Sequence, residues 1–447
     1  MQSTAVEHFP NENSPPGEIG DAESRLHVRR LPQIIFYLIV CAIPYYQLRQ
    51  ISDALPFLKI DWLLMGMLLA IVVPTLVLDR RNIPDALKSN LWRWLGLFLL
   101  INLIAGLVSP YTGHALASLI NPLLFSYIFI GINLIMLDRQ GFERYLPIVL
   151  AWSIGINAFL GCLEYFGGMA PVSGVMAERG RGFTIGANNM ALMGVFTIPL
   201  LLHWILYARN HKSKTAGVLL LIINIGGVIS SASRGGFLSM LLVGGLALLS
   251  LRHRFEPRYF GLVMAGFGLA ALLAIMFVPE DYIQRQSTIL EGTSADKSTR
   301  RRTAYLKVGW AAFTDNPLLG TGVDTFRKHW IESEQTRRFD LIERPAHNTY
   351  MEVLVGSGVV GFTIFMLLLG QAFLNFTRAR RLFTQAGRDD LASLTAAYRL
   401  SLLSVCVYFV FKSGLDHKLF LLALPLSQVA LTLGRRQLQT GEGRDNT

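Results

Sequence analysis

Charged residues and cysteine are both scarce in this chain. Only 16% of its 447 residues are charged and 52% are hydrophobic, whereas about 25% of the residues of a soluble protein are charged. The three cysteines, Cys41, Cys162 and Cys406, each lie inside an apolar segment, which argues against a disulfide framework and a cysteine metal site. The first 30 residues are polar and lack the apolar centre of a cleaved signal peptide, so we expect the first membrane anchor to begin near Leu31.

Several signatures of soluble enzymes are missing too. The chain has no HExxH motif, no Walker loop, no Cys/His metal spacing and no DxD-like acidic pair in its longest loop. The net charge of +11 comes mostly from short loops beside apolar segments, where basic residues set membrane orientation. We therefore expect no metal, no cofactor and no nucleic-acid partner.

What the chain has instead is long apolar runs such as "WLLMGMLLAIVVPTLVL", of the length that a membrane-spanning helix requires. They predict an all-α polytopic integral membrane protein with about twelve transmembrane helices. The predicted segments lie near residues 31–49, 62–78, 91–109, 116–137, 146–166, 187–208, 215–232, 235–251, 259–278, 351–377, 396–413 and 418–434.

The basic loops predict the orientation. Stretches such as "RNHKSK" and "RARRLFTQAGR" fall on one side if the segments alternate, and the positive-inside rule makes that side cytoplasmic. The predicted organisation has cytoplasmic tails at both ends, two groups of spanning helices and one long loop on the far face. In order, these are the tail 1–30, helices in 31–278, the periplasmic loop 279–350, helices in 351–434 and the tail 435–447.

The long loop contains a helical pattern in "RRTAYLKVGWAAF", which predicts a short helix within a cap over the membrane face. On that helix Arg302 shares a face with Leu306, Trp310 and Phe313, so we expect all four to point inward. An inward arginine needs an anionic partner, either a carboxylate or a ligand phosphate.

Other arginines on the far face lack a topological reason to be there. Arg234 stands in "SSASRGGFLS", between two spanning segments, and Arg179 and Arg181 stand in "AERGRGFTIGANN". Each side chain can reach lipid headgroups by snorkelling. The alternative is anion binding, because a guanidinium matches phosphate oxygens and neighbouring glycines let a ligand approach the backbone.

The stretch "RPAHNTYMEVLVGSGVVGF" places polar residues at the start of a membrane helix. Asn348 and Glu352 are four apart and share one helical face, whereas His347 and Tyr350 are three apart and share another; Arg344 precedes them. A histidine here is often only a hydrogen-bonded structural residue. Near the unexplained arginines, however, it can accept a proton from a hydroxyl while they hold a phosphate leaving group.

Three motifs in this order resemble the signatures of the O-antigen ligase and polymerase superfamily: "SRGGFLSMLLVG", "RRTAYLKVGWAAFTDNPLLGTGVDTF" and "AHNTYMEVLVGSGVVGF". The resemblance implies an inverting, metal-independent glycosyltransferase of the bacterial inner membrane. A glycan on undecaprenyl diphosphate would be transferred at the periplasmic face, in the ligase branch to the lipid A core, to give lipopolysaccharide.

The resemblance also implies roles for single residues. His347 matches the family's proposed base. Arg234, Arg302 and, less closely, Arg181 match arginines that would hold the diphosphate, with Arg179, Asn348, Tyr350 and Arg344 as supporting residues. Two related functions stay open, a polymerase of lipid-linked glycans and a transferase that glycosylates protein. A lipid or polysaccharide transporter is a third alternative, but it would favour broken, charged helices at mid-membrane, where most of these segments are uncharged.

Overall fold

The structure is a computed structural model. It describes residues 31–45, 66–70, 72–73, 88–168, 179–184, 186–251, 297–339 and 341–445. The tail 1–30, the predicted segment near 259–278 and most of the one near 62–78 lie outside these residues.

Helices dominate the described residues, and no strand occurs among them. They are α1 (Leu31–Cys41), α2 (Asn90–Leu107), α3 (Thr112–Ser118), α4 (Phe125–Gln140), α5 (Leu146–Phe166), α6 (Ala187–Tyr207), α7 (His211–Ser230), α8 (Arg234–Leu251), α9 (Lys297–Asp315), α10 (Phe326–Glu332), α11 (Thr349–Gln385), α12 (Asp389–Phe409) and α13 (Lys418–Asp445). A π-helical stretch, Leu119–Leu124, joins α3 to α4.

Seven helices in the described part are long and apolar enough to cross a membrane: α2, α5, α6, α7, α11, α12 and the portion Lys418–Gln439 of α13. Leu31–Cys41, Phe125–Asp138 and Arg234–Ser250 are shorter apolar helices. The helical membrane-protein class is thereby confirmed. The count of about twelve spans and the periplasmic position of the long loop stay predictions.

The bundle has an inner and an outer set of helices. In α6, 72% of the residues in the apolar membrane-spanning stretch are buried, against 33% in α2 and α7. The outer helix α7 turns Leu219 and Ile222 outward, each more than half exposed. Large apolar side chains in that position are suited to contact lipid chains, so the inner helices form the protein core and the outer ones its lipid-facing wall.

The prediction that Leu306 and Trp310 point inward is wrong. They are 43% and 56% exposed, and the buried face of α9 is instead formed by Tyr305, Val308 and Ala312. An apolar stripe identifies the core only when the other side faces water. Beside a membrane, apolar residues are also stable against lipid, and tryptophan favours the interface.

Main-chain hydrogen bonds join the long loop to α11. This helix is interrupted at Gly358, whose φ of 60° and ψ of −166° are open essentially only to glycine. The segment Pro317–Gly322 lies against the interruption. Four backbone hydrogen bonds of 2.8 to 3.3 Å join the two segments. The N–H groups of Thr321 and Gly322 donate to the carbonyls of Val355 and Gly356, respectively. In the other direction, the N–H groups of Val359 and Val360 donate to the carbonyls of Pro317 and Leu318. The loop is thus fixed to α11 by main-chain bonds close to the start of that helix.

Candidate functional site

Four cations line one cavity at the end of the bundle where α7 meets α8 and where α11 begins. They are Arg179, Arg234, Arg302 and Lys412. Asn188, Tyr408 and the turn 232–236 complete most of the wall. The four side chains come from four separate segments of the chain, so the cavity exists only in the folded protein.

The turn before α8 presents Arg234 to this cavity. Ala232 has a φ of 46°, and the Ser233 hydroxyl accepts a hydrogen bond from the Gly236 N–H at 3.1 Å. A Cβ on Gly236 would lie 2.5 Å from the Cβ of Ala191, so only glycine allows α8 to approach α6 this closely. Arg234 is the first residue of α8, and the positive end of that helix dipole also favours an anion here.

Arg179 is held beside this turn. Its Nε donates to the Ser231 carbonyl at 2.8 Å, and its Nη2 donates to Oδ1 of Asn188 at 2.8 Å. The neighbouring Gly180 N–H donates to the carbonyl of Ser230, also at 2.8 Å. The loop is therefore fixed to the end of α7, and the guanidinium of Arg179 keeps one position at the cavity wall.

Arg181 does not line the cavity. Its Nε lies 3.4 Å from the carboxylate of Glu164, which is almost fully buried on α5. The other oxygen of Glu164 accepts the backbone N–H groups of Arg181 and Gly182, at 2.8 and 3.0 Å. Arg181 and Glu164 together fasten the loop to α5, and the cavity receives Arg179 from the same loop.

Arg302 comes to the cavity from α9, and its neighbours on that helix have other contacts. The guanidinium of Arg301 lies over the ring of Phe339, 5.8 Å from its centroid. Tyr305, one turn on, packs its ring against those of Trp330 and His347, at centroid distances of 4.5 and 5.7 Å. These contacts hold the start of α9 against the turn that carries His347.

His347 lies in that turn, half-buried, with a φ of 52°. Its pKa is lowered to about 4, first by burial and then by the charges of Lys412, Arg302, Arg344 and Arg301. At neutral pH the imidazole is therefore uncharged and can accept a proton. Arg344, a predicted supporting residue, acts on it through charge.

The other polar residues at the start of α11 have structural partners. Asn348 caps the helix, because its side chain accepts the Met351 N–H at 3.0 Å. The Tyr350 hydroxyl donates to the carbonyl of Cys406 at 2.9 Å. Glu352 accepts the Ala346 N–H at 2.9 Å and the Ser413 hydroxyl at 2.5 Å, so it joins the turn of His347 to the segment after α12.

Lys412 was not among the residues predicted for the site. The sequence placed it inside the spanning segment near 396–413, whereas α12 ends at Phe409 and Lys412 lies beyond it. Its Nζ donates to Oδ1 of Asn189 at 3.1 Å. Its pKa is lowered by burial and by Arg179, although Asp416 opposes this shift. A lysine at the far end of a predicted span, in "FKSGLDHK", was the available signal.

In the described residues, no three His, Cys, Asp or Glu side chains come together in a way that would hold a metal ion. The expectation of a metal-independent reaction stays a prediction. What the arrangement can do chemically is bind a multiply charged anion through guanidinium and ammonium groups, next to an uncharged imidazole.

Two comparisons show which known proteins this chain is similar to. Residues 185–366 match the model of a family described as O-antigen ligase. That range includes Arg234, Arg302 and His347. An uncharacterized protein of Haemophilus influenzae is 26% identical over 196 residues, which are 41% of this chain and 49% of that protein. The chain thus spans about half the length of the curated relative that it matches.

Proposed function

We propose that this chain, whose residues 185–366 match the family model described as O-antigen ligase, is an O-antigen ligase. The donor is a glycan carried on undecaprenyl diphosphate, and the acceptor is a hydroxyl of the lipid A core oligosaccharide. The reaction takes place at the periplasmic face of a bacterial inner membrane. It inverts the anomeric centre and uses no metal.

The observation that carries this proposal is the convergence of Arg179, Arg234 and Arg302 on one cavity beside an uncharged His347. A lipid-linked diphosphate carries about two negative charges and several acceptor oxygens. Guanidinium groups match such oxygens, and their charge stabilises the diphosphate as it leaves. Cations in this position can take over the role that a divalent metal has in many reactions of nucleotide sugars.

Each group then has one role. His347 accepts the proton of the acceptor hydroxyl while its oxygen attacks the anomeric carbon of the donor sugar. The bond between that carbon and the phosphate oxygen breaks, and its electron pair leaves with undecaprenyl diphosphate. Arg234 and Arg302 bind this leaving group with Arg179 as the third arginine, and Arg181 with Glu164 supports the loop that carries Arg179.

A polymerase or a protein-glycosylating transferase would use the same donor chemistry and differ in the acceptor. The cation-lined cavity would bind the donor, which all three functions share, so it does not distinguish their acceptors. These two therefore remain the alternative functions within the class. A transporter has less support. Its charges are expected along broken helices at mid-membrane, whereas Arg179, Arg234 and Arg302 line a cavity at helix ends.

The test is ligation by purified protein in nanodiscs, supplied with lipid-linked O-glycan and rough lipopolysaccharide in the presence of a chelator. We expect glycan on the lipid A core with the wild type, and a loss of about 100-fold or more with His347→Ala or Arg234→Ala. His211→Ala and Arg337→Ala are matched controls, because both side chains are exposed and lie outside the cavity.

Each outcome decides a different part of the proposal. Product that persists in His347→Ala would exclude this residue as the base. Longer lipid-linked chains or glycosylated protein, with no glycan on the core, would support one of the alternative acceptors. Activity that appears only when the chelator is left out would refute the metal-independent mechanism.

A further inference from the structure

Lys412 lines the cation-lined cavity and is also one of the charges that act on His347. Its side chain lines the cavity with Arg179, Arg234 and Arg302, and the donation to Asn189 directs its ammonium group. Asn189 is itself held by a hydrogen bond from the hydroxyl of Tyr408. An ammonium group has three protons to donate, so one bond to Asn189 leaves capacity for a ligand.

Three hydrogen bonds join the segment of Lys412 to the turn of His347. The Thr349 hydroxyl donates to the backbone carbonyl of Lys412 at 2.7 Å. Glu352 accepts the Ser413 hydroxyl on one side and the Ala346 N–H on the other. The residues directly beside Lys412 and His347 are thus joined through one carboxylate.

The charges around the imidazole are nearly all positive. His347 is faced by Arg301 and Arg302 from α9, by Arg344 from its own loop and by Lys412 from the segment after α12. Tyr305 packs against its ring, and the Glu352 carboxylate is bonded to the preceding residue. Around Lys412 stand Arg179, which lowers its pKa, and Asp416, which raises it. Cations held this close favour an anion between them.

We propose that Lys412 is a ligand of the donor diphosphate and that, through it, His347 becomes an effective base only when the donor is bound. This inference rests on the proposed function and deepens it. In the empty site burial, and after it the neighbouring cations, oppose protonation of the imidazole, so its proton affinity is low. The two negative charges of the diphosphate offset Lys412 and Arg302, and the imidazole can then hold the proton of the acceptor hydroxyl.

Gating of this kind orders the reaction. The acceptor hydroxyl is activated only after the donor has entered the cavity. A base whose pKa lies far below the pH of the reaction is a poor proton acceptor. Donor bound in the cavity therefore supplies both the sugar and the negative charge that strengthens the base.

The first experiment measures binding of undecaprenyl diphosphate itself, without glycan, to the full protein in nanodiscs. Lys412→Met should weaken binding about 10- to 100-fold, the effect of one charge-assisted hydrogen bond. Lys412→Arg should retain most of the affinity because the charge remains. Lys307→Met is the matched control, since Lys307 is an exposed lysine on α9 outside this cavity.

The second experiment follows His347 by nuclear magnetic resonance of histidine-labelled protein, with its signal assigned from His347→Gln. In the wild type, undecaprenyl diphosphate should raise the pKa of His347. In Lys412→Met the pKa should start higher and rise less. If Lys412 did not bind the diphosphate, undecaprenyl diphosphate would raise the pKa of His347 by the same amount in Lys412→Met as in the wild type.

The outcomes separate the inference from the function that it builds on. If wild type does not bind undecaprenyl diphosphate, the proposed donor is wrong. If wild type and Lys412→Met bind it equally, the function stands and Lys412 is not a ligand. If binding weakens while the titration of His347 stays the same with and without the ligand, the gating is refuted. Lys412→Arg separates these effects from misfolding, because a variant that binds is folded.

Discussion

His347 shows how a single residue combines unusual geometry with a chemical role. Its φ of 52° is uncommon outside glycine, although histidine, asparagine and aspartate adopt such values more often than other residues. The neighbours that hold this turn do so through hydrogen bonds: Asn348 as the helix cap and Glu352 as the bridge to Ser413. The polar residues at the entrance of α11 thus comprise one candidate base and several groups that position it.

At the same scale, Arg181 and Arg234 should respond differently to removal. Arg181→Ala leaves the buried Glu164 without its side-chain partner, so we expect a loss of about 1–3 kcal/mol in unfolding free energy and little change in donor affinity. Arg234→Ala should weaken donor binding with little effect on stability. Thermal unfolding in detergent and binding of undecaprenyl diphosphate measure the two effects.

The opposite pattern, in which Arg181→Ala abolishes donor binding without lowering the unfolding temperature, would show that Arg181 binds the donor. Arg337→Ala controls for the loss of an exposed arginine. Glu164→Ala should destabilise the protein more than Arg181→Ala, because it deprives two backbone N–H groups of their acceptor.

Among the helices, α11 is the element that organises the site. Its start carries His347 and the Glu352 bridge, and its interruption at Gly358 receives the segment Pro317–Gly322. Main-chain hydrogen bonds make this junction rigid without any particular side chain. The glycines of "LLGTG" and "VGSG" therefore serve close packing of backbones.

Gly358→Ala tests this junction. The backbone at Gly358 has a positive φ, and an added Cβ would lie 2.3 Å from the backbone of Leu318. We expect a loss of at least about 2 kcal/mol in unfolding free energy and a strong loss of transferase activity. Gly370→Ala in the same helix is the control, because nothing lies within 4 Å of its added Cβ.

That control should be neutral or stabilise the helix by up to about 1 kcal/mol. Equal unfolding temperatures for Gly358→Ala and Gly370→Ala would contradict the rigid junction. Normal stability with lost activity in Gly358→Ala would instead indicate that the junction positions the residues of the site but does not contribute to the stability of the fold.

The whole molecule has two chemically different ends. One end holds the cation-lined cavity. At the other, Arg436 of α13 pairs with Asp138 of α4 at 3.4 Å, and the Tyr207 hydroxyl at the end of α6 donates to the carbonyl of Asp389 at the start of α12. The helix α11, 37 residues long, runs from the first end to the second. The positive-inside rule predicts that the second end faces the cytoplasm.

This orientation can be tested with single cysteines in a variant whose three native cysteines are replaced by alanine. Arg337→Cys lies in the loop on the side of the cavity, and Gln385→Cys lies at the opposite end of α11; both positions are exposed. A membrane-impermeant maleimide added to spheroplasts should label the first cysteine and reach the second only after lysis. The reverse pattern would place the cavity in the cytoplasm and exclude the proposed site of ligation.

Local patterns alone predict much of this protein. Apolar runs indicate the helical membrane class, because a spanning helix must be apolar over its own length. Motifs and charge placement also direct attention to Arg234, Arg302 and His347, which the structure brings to the same end of the bundle. Each of these inferences concerns residues close together in the sequence.

The tertiary structure alone decides which groups meet. Arg179 and Arg181 stand two residues apart in one motif, and only the position of Glu164 on α5 separates their roles. Lys412 joins the cavity because α12 ends earlier than hydropathy predicts. Leu306 and Trp310 face outward because apolar periodicity is the same for a surface against lipid and a surface against the core. The physical reason is common to all three, since burial and pairing depend on partners that are distant in the sequence.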